Sequence, residues 1–269
     1  MSELSPALPT TLQQARKARR LSQLELSMRV GVSQRHVSFV ESGRARPSRE
    51  LLLSWLQELD APLVVRNAAL LQAGYAPAYG NAGLADPALA LVSEALVHLL
   101  NVHDPMPALV IDAEWNVVNL NRGAKWLAAI LMPGLAALAG DTPLNILDLL
   151  VHPEGFTRRM VNLHETGPVF LAQLRREVAM HPILAPKAEA FEALLRIRVG
   201  RQRPHAGGTQ AASPVLTSRY ATEHGELAFF SMFTTLGTPQ DITLASLRVE
   251  HMFAADDATR AVLTAQVPS

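Results

Sequence analysis

The chain has 269 residues, with 24 Lys and Arg against 24 Asp and Glu, so its formal net charge is zero. Apolar residues make up 49% of it and cysteine is absent, which excludes disulfide scaffolds, cysteine-ligated zinc and thiol catalysis. The most apolar run, 126–139, is too short to span a bilayer, so we expect a cytoplasmic protein. A length near 270 predicts two domains.

The neutral total is a cancellation between two unlike halves of the chain. Residues 1–80 contain ten basic and six acidic side chains, whereas residues 81–269 contain fourteen basic and eighteen acidic ones. Nine basic residues and only two acidic ones lie within 16–49. Such a patch attracts a polyphosphate backbone, and a solvated basic face without a partner is the alternative interpretation.

The domain boundary is predicted from small residues. A stretch with one proline, 74–83, precedes a helix start at Pro87. We therefore expect a first domain at 1–76, a linker at 77–85 and a second domain at 86–269.

The first eighty residues predict five short helices. Ser22 and Ser33 are suited to cap the second and third of them, and Gly31 and Gly43 to end them. Two short helices joined by a tight glycine-containing turn on a basic background indicate a helix-turn-helix DNA-binding domain.

These anchors resemble the Cro/C1 (xenobiotic-response-element) class of helix-turn-helix repressors over residues 11–60. The matching segments are Leu21–Leu26, Gly31–Gln34, Val37, Glu41–Gly43 and Pro47-Ser48. The resemblance implies that the third helix is a recognition helix in the major groove of DNA. It implies base contacts from Gln34, Arg35, Ser38 and Phe39, and phosphate contacts from Gln23, Arg44 and Arg46.

Other positions of this segment are interpreted as scaffold or as departures from the family. Arg16 and Glu41 match the family's buried ion pair between the first and third helices. Ser27 stands where the family usually has alanine, and its hydroxyl needs a hydrogen-bond partner there. Phe39 occupies a position that is commonly polar, which leaves the base preference open. Use of the same fold for protein contacts alone is the alternative to DNA binding.

The second half predicts an α+β domain with an antiparallel sheet. Two strands at 108–112 and 115–119 flank a tight turn, and Asn121 then caps a helix, as at the start of a PAS-type sensor domain. A hairpin around His224-Gly225 and a last strand at 244–253 complete the sheet. A long helix at 157–181 is expected to kink or restart at Gly167-Pro168, and 200–213 is expected to be a loop.

Together with the first domain, this half resembles the ligand-binding domain of the MmyB-like regulators. The matching segments are 67–75, 107–119, 145–155, 159–162, 174–177 and 225–239. The resemblance implies a homodimeric bacterial regulator whose PAS-like domain encloses a hydrophobic, fatty-acid-like ligand. The sequence departs from the family pattern at Gly167-Pro168, where an uninterrupted helix is expected.

A set of mostly apolar residues is the candidate ligand site. Its members are Trp126, Phe156, Arg159, Met160, Asn162, Leu163, Phe170, Phe230 and Met232. Arg159 and Asn162, nearly one helical turn apart, are candidates to meet a carboxylate head group. The alternatives are that the apolar members are ordinary core and that Arg159 is a surface charge.

No pattern indicates an enzyme. The nine histidines lack metal-ligand spacing, and there is no G-x-S-x-G motif or phosphate-binding glycine loop, so we expect no metal and no cofactor. The sequence thus predicts a DNA-binding transcription regulator that senses a hydrophobic small molecule. The alternative is a DNA-binding protein whose C-terminal domain serves protein–protein interaction or dimerisation without a regulatory ligand.

Overall fold

A computed structural model describes residues 7–136, 144–200 and 215–267, which form two compact units. The first unit contains the chain up to Gly83 together with Thr238–Ala245, and the second contains the rest. The domain boundaries expected from the sequence place Thr238–Ala245 in the second domain, whereas this segment packs with the first unit. The expected loop at 200–213 lies outside the described residues from 201 onward.

The first unit is helical, as the sequence predicts. Its helices are α1 (Leu8–Ala18), α2 (Gln23–Arg29), α3 (Gln34–Glu41), α4 (Arg49–Glu58) and α5 (Leu63–Gln72). Ser22 and Glu25 form a capping box at the start of α2, and Ser33 caps α3 by accepting from the backbone N–H of His36. Gly31 and Gly43 follow these helices with φ angles of +70° and +73°, a conformation that glycine adopts without steric cost.

The five helices share one apolar core. Helices this short are marginal in isolation, so their stability comes mainly from packing. The fully buried centre consists of Leu12, Leu26, Val37, Leu52, Trp55, Leu56, Ala69 and Leu70. Burying each large side chain contributes about 1.5–3 kcal/mol, which fixes α3 against the other helices.

The second unit combines helices with a sheet. A 3₁₀ turn at Pro87–Leu89 leads into α6 (Ala90–His103), and the later helices are α7 (Arg122–Leu131), α8 (Pro133–Ala136), α9 (Ile146–Val151), α10 (Leu163–Val178), α11 (Ala185–Arg198), α12 (Ile242–Ser246) and α13 (Asp257–Gln266). Most of α12 belongs to the segment that joins the first unit. The strands are β1 (Ala108–Ile111), β2 (Val117–Leu120), β3 (Ser218–Thr222), β4 (Gly225–Thr235) and β5 (Arg248–Ala254).

The sheet is antiparallel throughout, with strand order β2-β1-β5-β4-β3. This confirms the expected helical domain followed by a PAS-like α+β domain. The last strand begins later than expected, because residues 242–246 form α12 and the strand starts only at Arg248. Asp241 accounts for the difference: its carboxylate accepts hydrogen bonds from the backbone N–H groups of Thr243 and Leu244, which starts a helix at this point.

Helix α10 continues through Pro168, so the restart there, which is one of the two outcomes that the sequence predicts, does not occur. Close packing on α11 explains the continuity. A Cβ atom at Gly167 would lie 2.5 Å from Leu195 Cδ2, so glycine lets the two helices approach. The apolar contacts of Leu163, Leu171 and Leu195 in this core oppose the cost of a proline inside the helix.

Candidate functional site

The candidate nucleic-acid interface is the solvent-facing side of α3. Val37, Val40 and Glu41 turn inward and are buried. Gln34 and Arg35 are exposed, so neither side chain is used by the core. A short, firmly packed helix with free polar side chains at its N-terminal end is the arrangement that reads base edges in the major groove.

Phe39 lies between two arginines. The guanidinium carbon of Arg35 is 5.1 Å from the centre of its ring, and that of Arg44 is 6.0 Å from it. Ser38 and Phe39 themselves are half-buried. Cation–π contacts of this kind restrict the rotamers of a long side chain, so Phe39 orients Arg35 and Arg44 on the exposed side of α3.

Behind this surface, Arg16 and Glu41 form a bidentate ion pair with two contacts of 2.7 Å. Burial raises the pKa of Glu41, but the hydrogen bonds from Arg16 and Gln23 outweigh it, so the pKa lies below its ordinary value. Gln23 Nε2 donates to Glu41 Oε2 at 2.9 Å, which ties the start of α2 to α3. Ser27 satisfies its buried hydroxyl by donating to the carbonyl of Leu24 at 2.7 Å.

Arg46 differs from the other basic candidates because it has an internal partner. Its guanidinium donates to the carbonyl of Ala73 at the end of α5 and lies 5.2 Å from the ring of Tyr75. Arg35 and Arg44 also contact an aromatic ring, that of Phe39, but in the described part of the chain neither side chain donates to a backbone carbonyl. Arg46 therefore contributes to the first unit's own packing as well as to its positive charge.

The residues that follow α5 are fixed by two side chains that the sequence analysis did not single out. The amide of buried Asn67 accepts from the backbone N–H groups of Ala78 and Tyr79 and donates to the carbonyl of Tyr79. Asp241 accepts from the backbone N–H of Ala82 at 3.2 Å. The stretch expected to be a linker is therefore held by side-chain hydrogen bonds within the first unit.

The second unit has an open pocket of about 510 Å³ beside β3 and the end of α7. It is lined by Leu131, Pro133, Glu154, Arg158, Arg159, Met160, Val161 and Ala221. Arg158 is paired with Glu154, whereas Arg159 is exposed and has no ion pair in the described residues. This pocket thus places apolar side chains beside Arg159, whose guanidinium has no ion pair among the described residues. A smaller hollow of about 290 Å³ nearby also involves Met160, with Leu163.

Three predicted ligand residues take part in aromatic packing. Phe170 is half-buried and lies edge-on between Trp115 and Phe191, whose ring centres are 5.4 and 5.7 Å away, so it packs against the core. Trp126 stacks on His224, and Phe230 stacks on Phe253. The first of these pairs is half-buried beside the core that includes Met160.

The other predicted members are divided between core, a structural hydrogen-bond network and solvent. Phe156 packs against the two cores that also contact Met160. Met232 is 55% exposed on the sheet. Asn162 differs from the expectation, because its buried amide donates to Glu165 and to the carbonyl of Thr217 and accepts from the N–H of Arg219. These bonds leave little capacity for a ligand carboxylate, so of the two predicted polar contacts Arg159 is the one that lines the pocket without an ion pair among the described residues.

Sequence reasoning also missed a charged network on the sheet. Glu177 accepts from Arg248 through bonds of 3.0 and 2.9 Å and from the indole N–H of Trp115 at 2.9 Å. Burial raises the pKa of Glu177, but Arg248 and Trp115 hold it below its ordinary value. The partners are 62 and 71 residues apart, which local sequence patterns do not connect.

Neither metal binding nor membrane spanning is visible in the described ranges. Within 7–136, 144–200 and 215–267, no three His, Asp or Glu side chains come together in a way that could hold a metal ion. The helices of the same ranges are all too short or too polar to cross a membrane.

Comparison with known proteins matches both units. The family model of the MmyB-like transcription regulator ligand binding domain matches residues 92–265, and a helix-turn-helix model matches residues 12–65. No curated protein matches the chain. Among solved structures, the clp gene regulator ClgR from Corynebacterium glutamicum is 26% identical; the match covers 36% of this chain and 90% of that one, with a TM-score of 0.22.

Proposed function

The chain belongs to the MmyB-like transcription regulators, and from that premise we propose that this DNA-binding regulator is controlled by a hydrophobic, fatty-acid-like molecule. The observation that carries the ligand proposal is the pocket that joins Arg159 to Leu131, Met160 and Ala221. An unpaired guanidinium at the edge of an apolar pocket suits an acyl chain with a carboxylate head group.

We propose that α3 makes the contacts with the bases of DNA. Gln34 and Arg35 are exposed at its start, and Gln and Arg bind adenine and guanine edges through paired hydrogen bonds. Arg44 and the backbone N–H groups at the start of α2, near Gln23, would contact phosphates. These contacts would set the register of the protein on the duplex. Arg46 would add positive charge near them, with its position fixed by Ala73.

We further propose that the regulator acts in the cytoplasm as a homodimer. Two recognition helices must lie about 34 Å apart to read half-sites on one face of DNA. The outer side of α6 supports a second copy as the partner, because Leu91 and Val102 are 80% and 67% exposed and Glu94 is the one acidic or basic residue of that helix other than histidine. A ligand that binds one arrangement of the dimer more tightly would shift the population toward it.

Native mass spectrometry of the full chain purified from cells tests the ligand proposal. We expect an adduct with the mass of an acyl chain, and a thermal shift on adding C10–C18 fatty acids to the delipidated protein. Arg159→Ala should reduce that shift, whereas Arg176→Ala, an exposed arginine on α10, should not. A clean mass without adduct, together with no thermal shift across the series, would exclude the fatty-acid proposal.

A further inference from the structure

The sheet of the second unit carries an acidic side chain on the face that its helices cover. In an antiparallel sheet, residues directly opposite each other point to the same side, and the pairs Leu109↔Glu250 and Glu250↔Phe233 therefore share a face. We call this the inner face of the sheet, and it comprises Leu109, Ile111, Phe229, Ser231, Phe233, Arg248, Glu250 and Met252. Phe229 and Ile111 on it are buried in the cores of the unit.

Glu250 lies where the inner face is still accessible. Strand β3 pairs with β4 only as far as Phe229, so the later part of β4 has β5 as its one partner strand among the described residues. Ser231 is exposed there, and Phe233 is 41% exposed. Apolar surface and a carboxyl group are thus open to a small molecule at the same place.

The carboxyl group of Glu250 is only partly satisfied by the protein. Ser231 Oγ donates to Glu250 Oε1 at 2.6 Å, and within the described residues this is the hydrogen bond that the carboxyl group accepts. Burial raises its pKa, against the effects of Ser231 and of the charge of Arg248. A carboxyl oxygen has two acceptor sites, so capacity for further donors remains.

The charge of the neighbouring cation, Arg248, is already paired, and its buried Nε is the one nitrogen of that guanidinium without a hydrogen-bond partner among the described residues. Arg248 gives two hydrogen bonds to Glu177, and its guanidinium carbon lies 4.1 Å from the centre of the Trp115 ring. An anionic head group at Glu250 would therefore face a carboxyl group without a free positive charge beside it. A hydroxyl or amino group would instead donate a hydrogen bond to the carboxyl group, which accepts only the bond from Ser231 among the described residues.

We propose that Glu250 and Ser231 form a second ligand subsite, which binds an apolar molecule through a hydrogen-bond-donating hydroxyl or amino group. Phe233 and Met252 flank Glu250 and supply the apolar surface for its chain. This subsite rests on the ligand-sensing function proposed above and is separate from the pocket bordered by Arg159. The two sites select opposite head groups, carboxylate at Arg159 and donor at Glu250.

Isothermal titration calorimetry of the delipidated full chain with decylamine, 1-decanol and decanoic acid tests the subsite. We expect Glu250→Gln to weaken binding of decylamine at least tenfold and of decanol severalfold, while decanoic acid is unaffected. Glu226→Gln is the matched control, since this exposed carboxylate lies on the same strand, β4, with its side chain on the other face. It should change each affinity less than twofold.

A second variant keeps the test valid if Glu250→Gln does not fold. Ser231→Ala leaves the carboxyl group in place but removes the hydroxyl that orients it, and we expect a threefold or greater loss for decylamine. Equal binding of decylamine by wild type and by the folded variants would overturn the subsite alone, since decanoic acid would still bind at Arg159. Failure of all three probes to bind would count against the ligand-sensing function itself.

Discussion

Arg16 and Glu41 hold each other through two contacts of 2.7 Å, with side chains that are 9% and 2% exposed. This pair joins α1 to α3, the helix proposed to read DNA, and Gln23 extends it to α2. Helices α1, α2 and α3 therefore share one buried polar centre, which fixes the orientation of α3 within the first unit.

Removing one partner of this pair leaves an uncompensated buried charge. We expect Arg16→Met to lower the free energy of unfolding by about 3 kcal/mol. Chemical denaturation of the full chain, followed by circular dichroism, measures the change. Arg29→Met, at an exposed arginine on α2, should cost less than about 0.5 kcal/mol. Equal denaturation midpoints for the two variants would contradict the structural role of Arg16.

The same pair gives a pH dependence of known sign. Glu41 has a pKa below its ordinary value of 4.5 in the folded protein, so its contribution is present above the pKa of the unfolded chain. The stabilisation that ionised Glu41 gives is lost as the pH falls below 4.5 and through the folded-state pKa. We expect the wild type to lose stability over this range more steeply than Glu41→Gln, whose side chain does not titrate. Parallel stability curves for the two proteins below pH 4.5 would show that the pair contributes nothing.

Arg35 and Arg44 should have different roles although both contact Phe39. Arg35→Ala should weaken the free energy of binding to a selected operator by about 1–3 kcal/mol and relax the base preference at one position. Arg44→Ala should weaken all duplexes alike and reduce the salt dependence of binding. Competition binding with operators mutated one base pair at a time separates the two outcomes. Unchanged selectivity of the Arg35 variant would remove this side chain from the base readers.

Asp241 should hold the stretch near Ala82 in place. Asp241→Ala removes the acceptor for the backbone N–H groups of Ala82, Thr243 and Leu244. A cap of this kind contributes about 1 kcal/mol, so hydrogen exchange at these amides should accelerate roughly fivefold. Asp256→Ala, which removes the cap of α13, should act at Thr259 instead. Identical exchange at Ala82 in Asp241→Ala and Asp256→Ala would show that Asp241 does not hold this stretch in place.

The parts of the structure that the sequence predicts are those with local physical causes. Ser22 and Ser33 cap helices through contacts three residues away, and the period of apolar residues follows directly from helix geometry. The hairpin turn at Gly225 is local in the same sense.

What the sequence does not predict depends on tertiary contacts. Asp241 reaches Ala82 across 159 residues, and Glu177 reaches Arg248 across 71, which no local pattern encodes. Pro168 continues a helix because packing against α11 opposes its local preference. Asn162 has the chemistry of a ligand contact, but its surroundings in the folded chain already saturate its amide.

The most direct test of a ligand-controlled DNA-binding protein is the dissociation constant of the delipidated full chain for an operator selected from random duplex DNA. It is measured by fluorescence anisotropy with and without saturating decanoic acid. We expect at least a fivefold change in Kd, in the range of allosteric coupling, and loss of that change in Arg159→Ala. The same Kd in both conditions, with decanoic acid shown to be bound, would contradict control of DNA binding by this ligand class.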